Sequence, residues 1–206
     1  MAYPTTNAKE ELPAINQILA SVGQAPVTTL DQTNPDVAIA YDTLLQVSRE
    51  VQSEGWSFNR EDHYEFTPNT DDEILIPNNV LQLDLTQNGY SSNKDVIRRS
   101  GKLYDKHNHT FKWNDGTVEC DVVWLFDWVD IPIPFQNYII ARAAALVSSR
   151  IVGDVNQYEM LQQEEAFMRS VILEYEANQG DHTFFGTPEN YPNTYTSYQP
   201  YKALRR

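Results

Sequence analysis

The hydrophobic periodicity of the sequence changes twice along the chain, and this change limits the folds that the chain can adopt. Apolar residues recur at helical spacing near the amino end, alternate with polar residues from Trp56 onward, and return to helical spacing after Pro132 and Pro134. Helices at both ends around a group of short strands predict an α+β fold. The pattern indicates a helical bundle built from N- and C-terminal helices, with an inserted antiparallel β domain and an extended C-terminal tail.

The same changes divide the chain into four segments. Residues 1–55 form the first half of the helical bundle, and residues 56–131 form the inserted β domain. We expect residues 132–180 to form the second half of the bundle and residues 181–206 to form an extended tail for docking onto a partner. A chain of 206 residues is long enough to bury a core in one compact domain or in two small ones.

Capping residues mark the expected helix ends. Gly23 and Gly55 stand where a left-handed residue would end the first and second helices. Asn34 precedes the second helix and Asp154 precedes the last one, and both residue types are common N-caps. Pro13 fits only the first turn of the first helix, so we expect that helix to begin close to it.

The middle of the chain reads as a series of short strands separated by turns. Turn signals occur at Asn88-Gly89, Ser100-Gly101 and Asp115-Gly116. We expect strands at these positions: Trp56 with Phe58, Tyr64 with Phe66, Ile74 with Ile76, 81–85, 96–97, 103–104, 111–113 and 118–125. Strands at this spacing predict an antiparallel sheet, a sandwich or a small barrel.

Charge and cysteine content exclude several classes of function. The chain has 15 basic and 29 acidic residues and a net charge of −14, which disfavours a general DNA-coating role because the chain repels phosphates. Hydrophobic residues make up 41% of the sequence, too many for a disordered chain. The single cysteine, Cys120, excludes an intramolecular disulfide and a cysteine-cluster metal site, and it favours a reducing compartment.

Neither a secretory signal nor a membrane span is expected. Residues 1–12 are polar and acidic and lack the apolar stretch of a signal peptide. The most apolar segment, residues 138–152, is interrupted by Arg142 and Arg150 and is shorter than the roughly 18 residues of a transmembrane helix.

Few residues point to catalysis or metal binding. His107 and His109 are best explained as surface turn residues, and Cys120 as a small buried residue in an alternating run. A glycoside hydrolase could use a pair of carboxylates, and candidates are Glu61 with Asp62, Asp71 to Glu73, or Asp127 with Asp130. Among 29 acidic side chains such pairs also arise by chance, so we expect no catalytic residue, no metal and no cofactor.

The last segment combines tyrosines with prolines and has neither helix nor strand periodicity. A segment of this kind can bind a partner in extended form, with aromatic side chains inserted one at a time. The alternatives are that it folds back over its own subunit or is disordered. The tyrosines are Tyr191, Tyr195, Tyr198 and Tyr201.

Several stretches resemble the tail tubular protein A family of short-tailed bacteriophages. Residues 16–30, NQILASVGQAPVTTL, are similar to the family's opening helix and link, and residues 52–59, QSEGWSFN, resemble its helix-to-strand junction nearly letter for letter. Residues 127–139 and 161–165 are similar to later helical parts. The segment from Arg60 to Leu125 resembles the family only loosely.

The resemblance implies a virion structural protein without enzymatic activity, assembled in the bacterial host cytoplasm. Members of this family form a dodecameric adaptor ring between the portal and a tail nozzle of the tail tubular protein B type. Genomic DNA passes through the centre of the ring, so we expect no specific DNA binding and no membrane association. The alternative is a tail-associated glycan hydrolase that acts on the host envelope.

The resemblance also suggests roles for individual residues. Gly23 and Gly55 would hold cap geometries, Pro26 would stiffen the link, and Trp56 with Phe58 would anchor the strand domain against the bundle. Residues 141–145 are rich in alanine and would form a close helix contact, within the subunit or across the ring. Portal contacts would come from the tyrosine-rich tail and its basic end, namely Tyr191, Tyr195, Tyr198, Tyr201, Lys202, Arg205 and Arg206.

Overall fold

The protein combines four α-helices with five strands over the residues that its computed structural model describes, 8–31, 33–86, 94–114 and 116–179. The α+β expectation is therefore confirmed, whereas the predicted tail and the Asn88-Gly89 turn lie outside the described residues. In chain order the elements are α1 (Ala8–Ser21), α2 (Pro35–Gln52), β1 (Arg60–Phe66), β2 (Val80–Leu85), β3 (Val96–Arg99), β4 (Lys102–Asp105), β5 (Val118–Trp124), α3 (Ile133–Ile151) and α4 (Val155–Gln179).

The helical bundle is organised around α3, which contacts α1, α2 and α4. Small residues permit this central position, because Ala143, Ala144 and Ala145 are buried and bring neighbouring helices close. The alanine-rich stretch is thus used inside the subunit. The fully buried side chains of this core include Ile15, Ile18, Leu19, Leu44, Phe135, Ile139 and Ile172.

The first helix is longer than the sequence predicts. It begins at Ala8, so Pro13 lies inside it and not in its first turn. A proline at this position removes one intrahelical hydrogen bond, to the carbonyl of residue 9. Ile15 and Ile18, which follow it, are completely buried, and this packing outweighs the lost bond.

The helix ends follow the expected capping chemistry. The amide of Gly23 donates to the Ala20 carbonyl and the amide of Gln24 donates to the Leu19 carbonyl, which is a Schellman motif. The Asn34 side chain accepts a hydrogen bond from the Asp36 amide at the start of α2. Asp154 accepts in the same way from the Asn156 amide before α4.

The strands form two antiparallel sheets. The larger sheet has the order β1-β5-β2, with Tyr64 opposite Cys120 and Leu83 opposite Val122. The smaller sheet is the hairpin β3–β4, closed by a two-residue turn at Ser100-Gly101 in which both residues have positive φ. The register of β1 shifts between Glu61 and Tyr64, where His63 has a φ of +61°.

Three of the expected strands are not strands. Trp56 and Phe58 lie in a turn, because the amides of Asn59 and Arg60 both donate to the Trp56 carbonyl. Residues 74–76 and 111–113 make only isolated bridges, such as Leu75 with Lys102 and Glu73 with Lys112. Their apolar side chains are nevertheless needed, because Ile74, Ile76 and Trp113 enter the core of the strand region.

The strand region has a hydrophobic core distinct from that of the helices. It is formed by side chains from both sheets and the segments between them, including Phe66, Val96, Leu103, Cys120, Val122 and Trp124. Cys120 is completely buried there, as the sequence predicts. Burial is the main cause that raises the pKa of its thiol to about 12, and the negative charges of Asp121 and Asp84 add to it. The thiol therefore stays protonated and unreactive at neutral pH.

We expect Gly55→Ala to destabilise the protein more than Gly23→Ala. The two glycines have φ angles of +75° and +77°, so alanine at either position incurs a left-handed strain of about 1–2 kcal/mol. Only at Gly55 would the new methyl group also lie 3.2 Å from Cγ2 of Val123 on β5, adding about 1 kcal/mol of overpacking. Urea denaturation of both variants measures the difference, and equal losses would contradict the proposed contact.

Candidate functional site at the helix-to-strand junction

The chain crosses between helices and strands twice, and the two crossings lie side by side. The first runs from the end of α2 to β1 and contains the QSEGWSFN motif, residues 52–59. The second runs from the end of β5 to α3, through a short 3-10 helix at Trp128–Asp130. We call this region the junction, and its contacts determine how the helical and strand parts are held together.

Gln52 joins the two crossings through its buried side-chain amide. Its Nε2 donates to the Phe126 carbonyl at 3.2 Å and to Ser48 Oγ at 3.1 Å, and its Oε1 accepts from the Phe126 amide at 2.8 Å. The side chain thus pairs with both backbone groups of Phe126, as a neighbouring strand would. Since Gln52 is completely buried, water does not compete for these bonds.

Asn59 makes the second connection, seven residues later. Its Nδ2 donates to the Gln52 carbonyl at 2.8 Å and to the Trp124 carbonyl at 2.7 Å, and its Oδ1 accepts from the Trp56 amide at 2.9 Å. Its side chain is almost completely buried, and all its amide hydrogen-bonding groups are used except one acceptor position. Gln52 and Asn59 therefore tie the end of α2, the first crossing and the end of β5 into one network.

Aromatic rings cover this network on the helical side. Trp56 packs edge to face on Phe135 with ring centroids 5.0 Å apart, and Phe58 lies 4.7 Å from the same ring. Tyr175 of α4 approaches Phe135 from another direction at 5.8 Å. Trp56 also donates from Nε1 to the Val51 carbonyl at 2.7 Å. The rings exclude water from the junction and belong to the helical core.

Helix α4 holds the junction from outside. Arg169 makes two hydrogen bonds to the carboxylate of Glu54, at 3.0 and 2.6 Å, and its guanidinium lies over the Trp56 ring. The hydrogen bonds to Glu54 raise the pKa of Arg169 further. Two turns later, Glu176 accepts bonds from the amide and hydroxyl of Ser57.

The predicted structural residues occupy different places relative to the junction. Gly55, Trp56 and Phe58 lie within it, whereas Gly23 and Pro26 lie in the exposed link after α1. That link is fixed by Asn16, whose side chain bonds both the amide and the carbonyl of Val27. The structural roles suggested for these five residues by the family resemblance stay predictions.

The predicted portal-contact residues are outside the described residues. They are Tyr191, Tyr195, Tyr198, Tyr201, Lys202, Arg205 and Arg206.

Sequence reasoning missed the polar residues that connect the two parts of the protein. Gln52 and Asn59 are the first and last residues of the motif that most resembles the family, and this resemblance was the feature of the sequence that could have identified them. Arg169 and Glu176 lie in a helix with many charged residues, so their contacts had no signal in the sequence.

The carboxylate pairs considered for hydrolysis are used in other contacts or are exposed. Glu61 accepts a bond from Trp124 Nε1, and Asp62 pairs with Arg60. A hydrogen bond from Lys102 lowers the pKa of Glu73, which is the opposite of what a general acid requires.

His107 and His109 are exposed residues of a turn after β4, as the sequence predicts. Burial raises the pKa of Asp105, but hydrogen bonds from Asn108 and from the His107 amide outweigh burial, and the pKa is lowered overall. Asp105 is thereby a buried acceptor that shapes this turn. Over residues 8–31, 33–86, 94–114 and 116–179, no group of three or more His, Cys, Asp or Glu side chains is arranged to hold a metal ion.

A small groove lies between α1, α3 and α4. It has a volume of ≈ 130 Å³ and is lined by Gln17, Asn137, Ala144, Leu161 and Met168, among others. Pockets for small organic ligands usually have about 300 Å³ or more. The groove is therefore too small for such a ligand.

Within the described part of the chain, none of the helices has the length and apolar character needed to cross a bilayer.

Two comparisons with known proteins bear on the whole helix-strand-helix arrangement. A family model described as tail tubular protein matches residues 12–182. The chain is also 31% identical over 172 residues to tail tubular protein A of Klebsiella phage KP34, a match that covers 82% of this chain and 88% of that protein. Both matches extend across the junction and its two crossings.

We expect Asn59→Leu to destabilise the protein by about 3 kcal/mol or more. The substitution keeps the approximate size of the side chain but leaves the Trp124 carbonyl and the Trp56 amide without this partner, and each unsatisfied buried group costs about 1–3 kcal/mol. The Gln52 carbonyl also loses one of its two bonds and keeps only the Gly55 amide. Gln162→Ala is a matched control, because it removes an exposed amide bonded only to a neighbouring hydroxyl. Chemical denaturation followed by tryptophan fluorescence gives both values, and a loss as small as that of the control would refute the role of Asn59.

Proposed function

Since the chain belongs to the tail tubular protein family, and is thus a structural protein of a phage tail, we propose that it is the adaptor subunit between the portal and the tail nozzle. In this proposal the subunits form a homo-oligomeric ring, a dodecamer by family resemblance, through which the genome leaves the capsid. The observation that carries the proposal is the match over residues 12–182, which includes all of the helical and strand elements except the first residues of α1.

The construction of the junction supports an adaptor role. A subunit that joins two rings must keep its two contact surfaces at a fixed relative position. Here the helical and strand parts are tied by the buried amides of Gln52 and Asn59, and the Arg169 and Glu176 contacts hold α4 on the first crossing. Rotation of the strand part against the helices would break several of these bonds together, so the subunit is built to act as one rigid piece.

The charge of the chain supports passage of DNA through the proposed ring. A net charge of −14 per subunit repels phosphates, so a ring of such subunits has little tendency to hold the genome. The acidic residues are concentrated in the strand region, where residues 61–131 contain 14 acidic and 6 basic residues. We therefore propose that DNA slides through the ring without specific contacts.

We assign portal docking to the tail, residues 181–206. Its four tyrosines offer large apolar contact areas at small entropic cost, and Lys202, Arg205 and Arg206 would meet an acidic surface of the portal. The helical bundle, which immediately precedes the tail, would then face the portal, and the strand part would face the nozzle.

A structural role also accounts for the chemistry of the described side chains. The buried thiol of Cys120 has a raised pKa, and the pKa of Glu73 is lowered, so neither group is tuned for catalysis at neutral pH. We propose that the protein acts through its surfaces, within the virion.

Removal of the residues after Gly180 is expected to leave a folded subunit that docks poorly on the portal. All core residues in the described part of the chain precede Gly180, so the thermal midpoint should change little. Electron microscopy of purified portal from the same phage, mixed with the truncated chain, measures docking.

Two substituted full-length chains separate the contributions of the tail. One replaces the four tyrosines by serine, and the other replaces Lys202, Arg205 and Arg206 by alanine. Undiminished ring stacking by the truncated chain would disprove the docking role of the tail.

We expect the purified protein to leave duplex DNA unbound at physiological salt. The expectation follows from the net charge of −14, which makes electrostatic association unfavourable. A mobility-shift assay tests it, and a dissociation constant below about 1 μM, as specific DNA-binding proteins show, would contradict the proposed passive channel.

A further inference from the structure

A basic surface stands out on this acidic protein. Residues 94–106, which include the β3–β4 hairpin, contain five of the 15 basic residues of the chain and only two acidic ones, a net charge of +3. The acidic residues are already engaged: Asp95 pairs with Lys106 at 2.7 Å, and Asp105 accepts bonds from the turn that follows β4. The hairpin is thus positively charged, whereas the chain as a whole is negatively charged.

The outer side of this hairpin has the composition of a protein interface. The register places Ile97 opposite Tyr104 and Arg99 opposite Lys102. Arg99 is exposed, and its guanidinium lies over the Tyr104 ring, 4.1 Å from the ring centroid. Tyr104 packs at a tilt against Phe111, and Ile97 is 43% exposed. Arginine, tyrosine and other aromatic residues are enriched where proteins bind each other. We call these four residues, Ile97, Arg99, Tyr104 and Phe111, the hairpin face.

Arg99 is the available cation of this face. Lys102 is bound to Glu73 at 2.5 Å, and Arg98 bonds to Asn78 and to the Val80 carbonyl. Arg99 makes no ion pair with any residue in the described part of the chain, and the Tyr104 ring holds its guanidinium in place. A positioned guanidinium with free donors is well suited to bind a carboxylate.

The complementary surface lies on the same chain. Strand β1 is an edge strand whose residues are all exposed except Phe66. Strands β1 and β5, residues 60–66 and 118–124, carry five carboxylates and one arginine, a net charge of −4. We call this side, with Glu61, Asp62, Glu65 and Glu119, the acidic edge.

The two surfaces lie on different sides of the strand region. The order β1-β5-β2 separates β1 from β2 by a full strand, and β3 contacts β2. A subunit can therefore present its hairpin face to one neighbour while its acidic edge receives the hairpin face of another. Contacts between two different surfaces of identical subunits are head-to-tail and generate a closed ring when the rotation between subunits permits it.

We propose that the hairpin face docks against the acidic edge of the next copy of this chain, with Arg99 as its central cation. The proposal rests on the proposed ring and identifies the surfaces that join its subunits. The segment that carries the hairpin face, residues 94–106, has a net charge of +3, and the strands that carry the acidic edge have a net charge of −4, so the two are opposite in sign. Electrostatic complementarity of this kind fixes the orientation of partners and rejects the reversed pairing.

A second copy fits the hairpin face better than nucleic acid does. Phosphate backbones are bound by several free cations at once. Here Lys102 and Lys106 are already paired with Glu73 and Asp95, so the hairpin does not offer such a row. Any DNA that approached would also meet the field of the acidic chain.

Charge reversal tests the pairing. Arg99→Glu and Glu65→Lys each place like charges at the contact, and we expect each to weaken subunit association about tenfold. The double variant Arg99→Glu/Glu65→Lys, or an equimolar mixture of the two single variants, should recover association, because opposite charges face each other again. Glu159→Lys, on the exposed side of α4, changes the net charge as Glu65→Lys does and should have no effect.

Association is measured in two ways. Sedimentation velocity of the chain alone, at low and high salt, gives the self-association constant, and electron microscopy of the chain mixed with purified portal gives the proportion of complete rings. Both readouts should change with the single variants and recover with the double variant, and the change should be larger at low salt. Thermal midpoints of all variants, compared with that of the wild type, establish that each chain is folded.

The outcomes distinguish this pairing from the proposed function. Complete rings formed by folded Arg99→Glu and Glu65→Lys chains would overturn the pairing and leave the adaptor role intact. A wild-type chain that forms no ring in either assay would contradict both. Duplex DNA that is retarded by the wild type but not by Arg99→Glu would assign the hairpin face to nucleic acid and overturn the pairing.

Discussion

The arrangement of this protein depends on two buried side-chain amides, those of Gln52 and Asn59. The chain has to pass twice between a helical core and a strand core, and backbone groups in such crossings have no regular secondary structure to satisfy them. The two amides supply the missing partners for Phe126, Trp124, Trp56 and Gln52 itself. Because these bonds are buried, they determine the relative position of the two cores.

The long helix α4 reinforces this arrangement although few of its side chains are buried. Among its described residues only Ile172 is fully buried, and Met160 and Phe167 are mostly exposed. Its inner side nevertheless contacts the junction through Arg169, Tyr175 and Glu176, two of them by polar bonds. A helix placed in this way adds stiffness where the chain crosses, while its outer side stays available to solvent.

Much of the fold could be predicted because local signals are strong where the chain begins and ends its helices. Asn34, Gly55 and Asp154 specify helix ends by hydrogen bonding and by backbone conformation, which act over a few residues. The secondary structure was predicted wrongly at positions where tertiary contacts determine the conformation of the chain. Pro13 is tolerated inside α1 because of the core that follows it, and Trp56 with Phe58 pack on Phe135 and not in a sheet. The junction network was equally hidden, since its partners are up to 74 residues apart.

The irregular backbone of β1 bears on how such molecules can be crowded together. An uninterrupted edge strand invites another chain to extend the sheet, and repeated extension leads to fibrils. In β1 the register shift at His63 bends the strand and breaks the row of backbone donors and acceptors, and Glu61, Asp62 and Glu65 add mutual repulsion. The backbone and the charges of β1 thus oppose the addition of another chain to this sheet edge, even where many copies of the protein are crowded together.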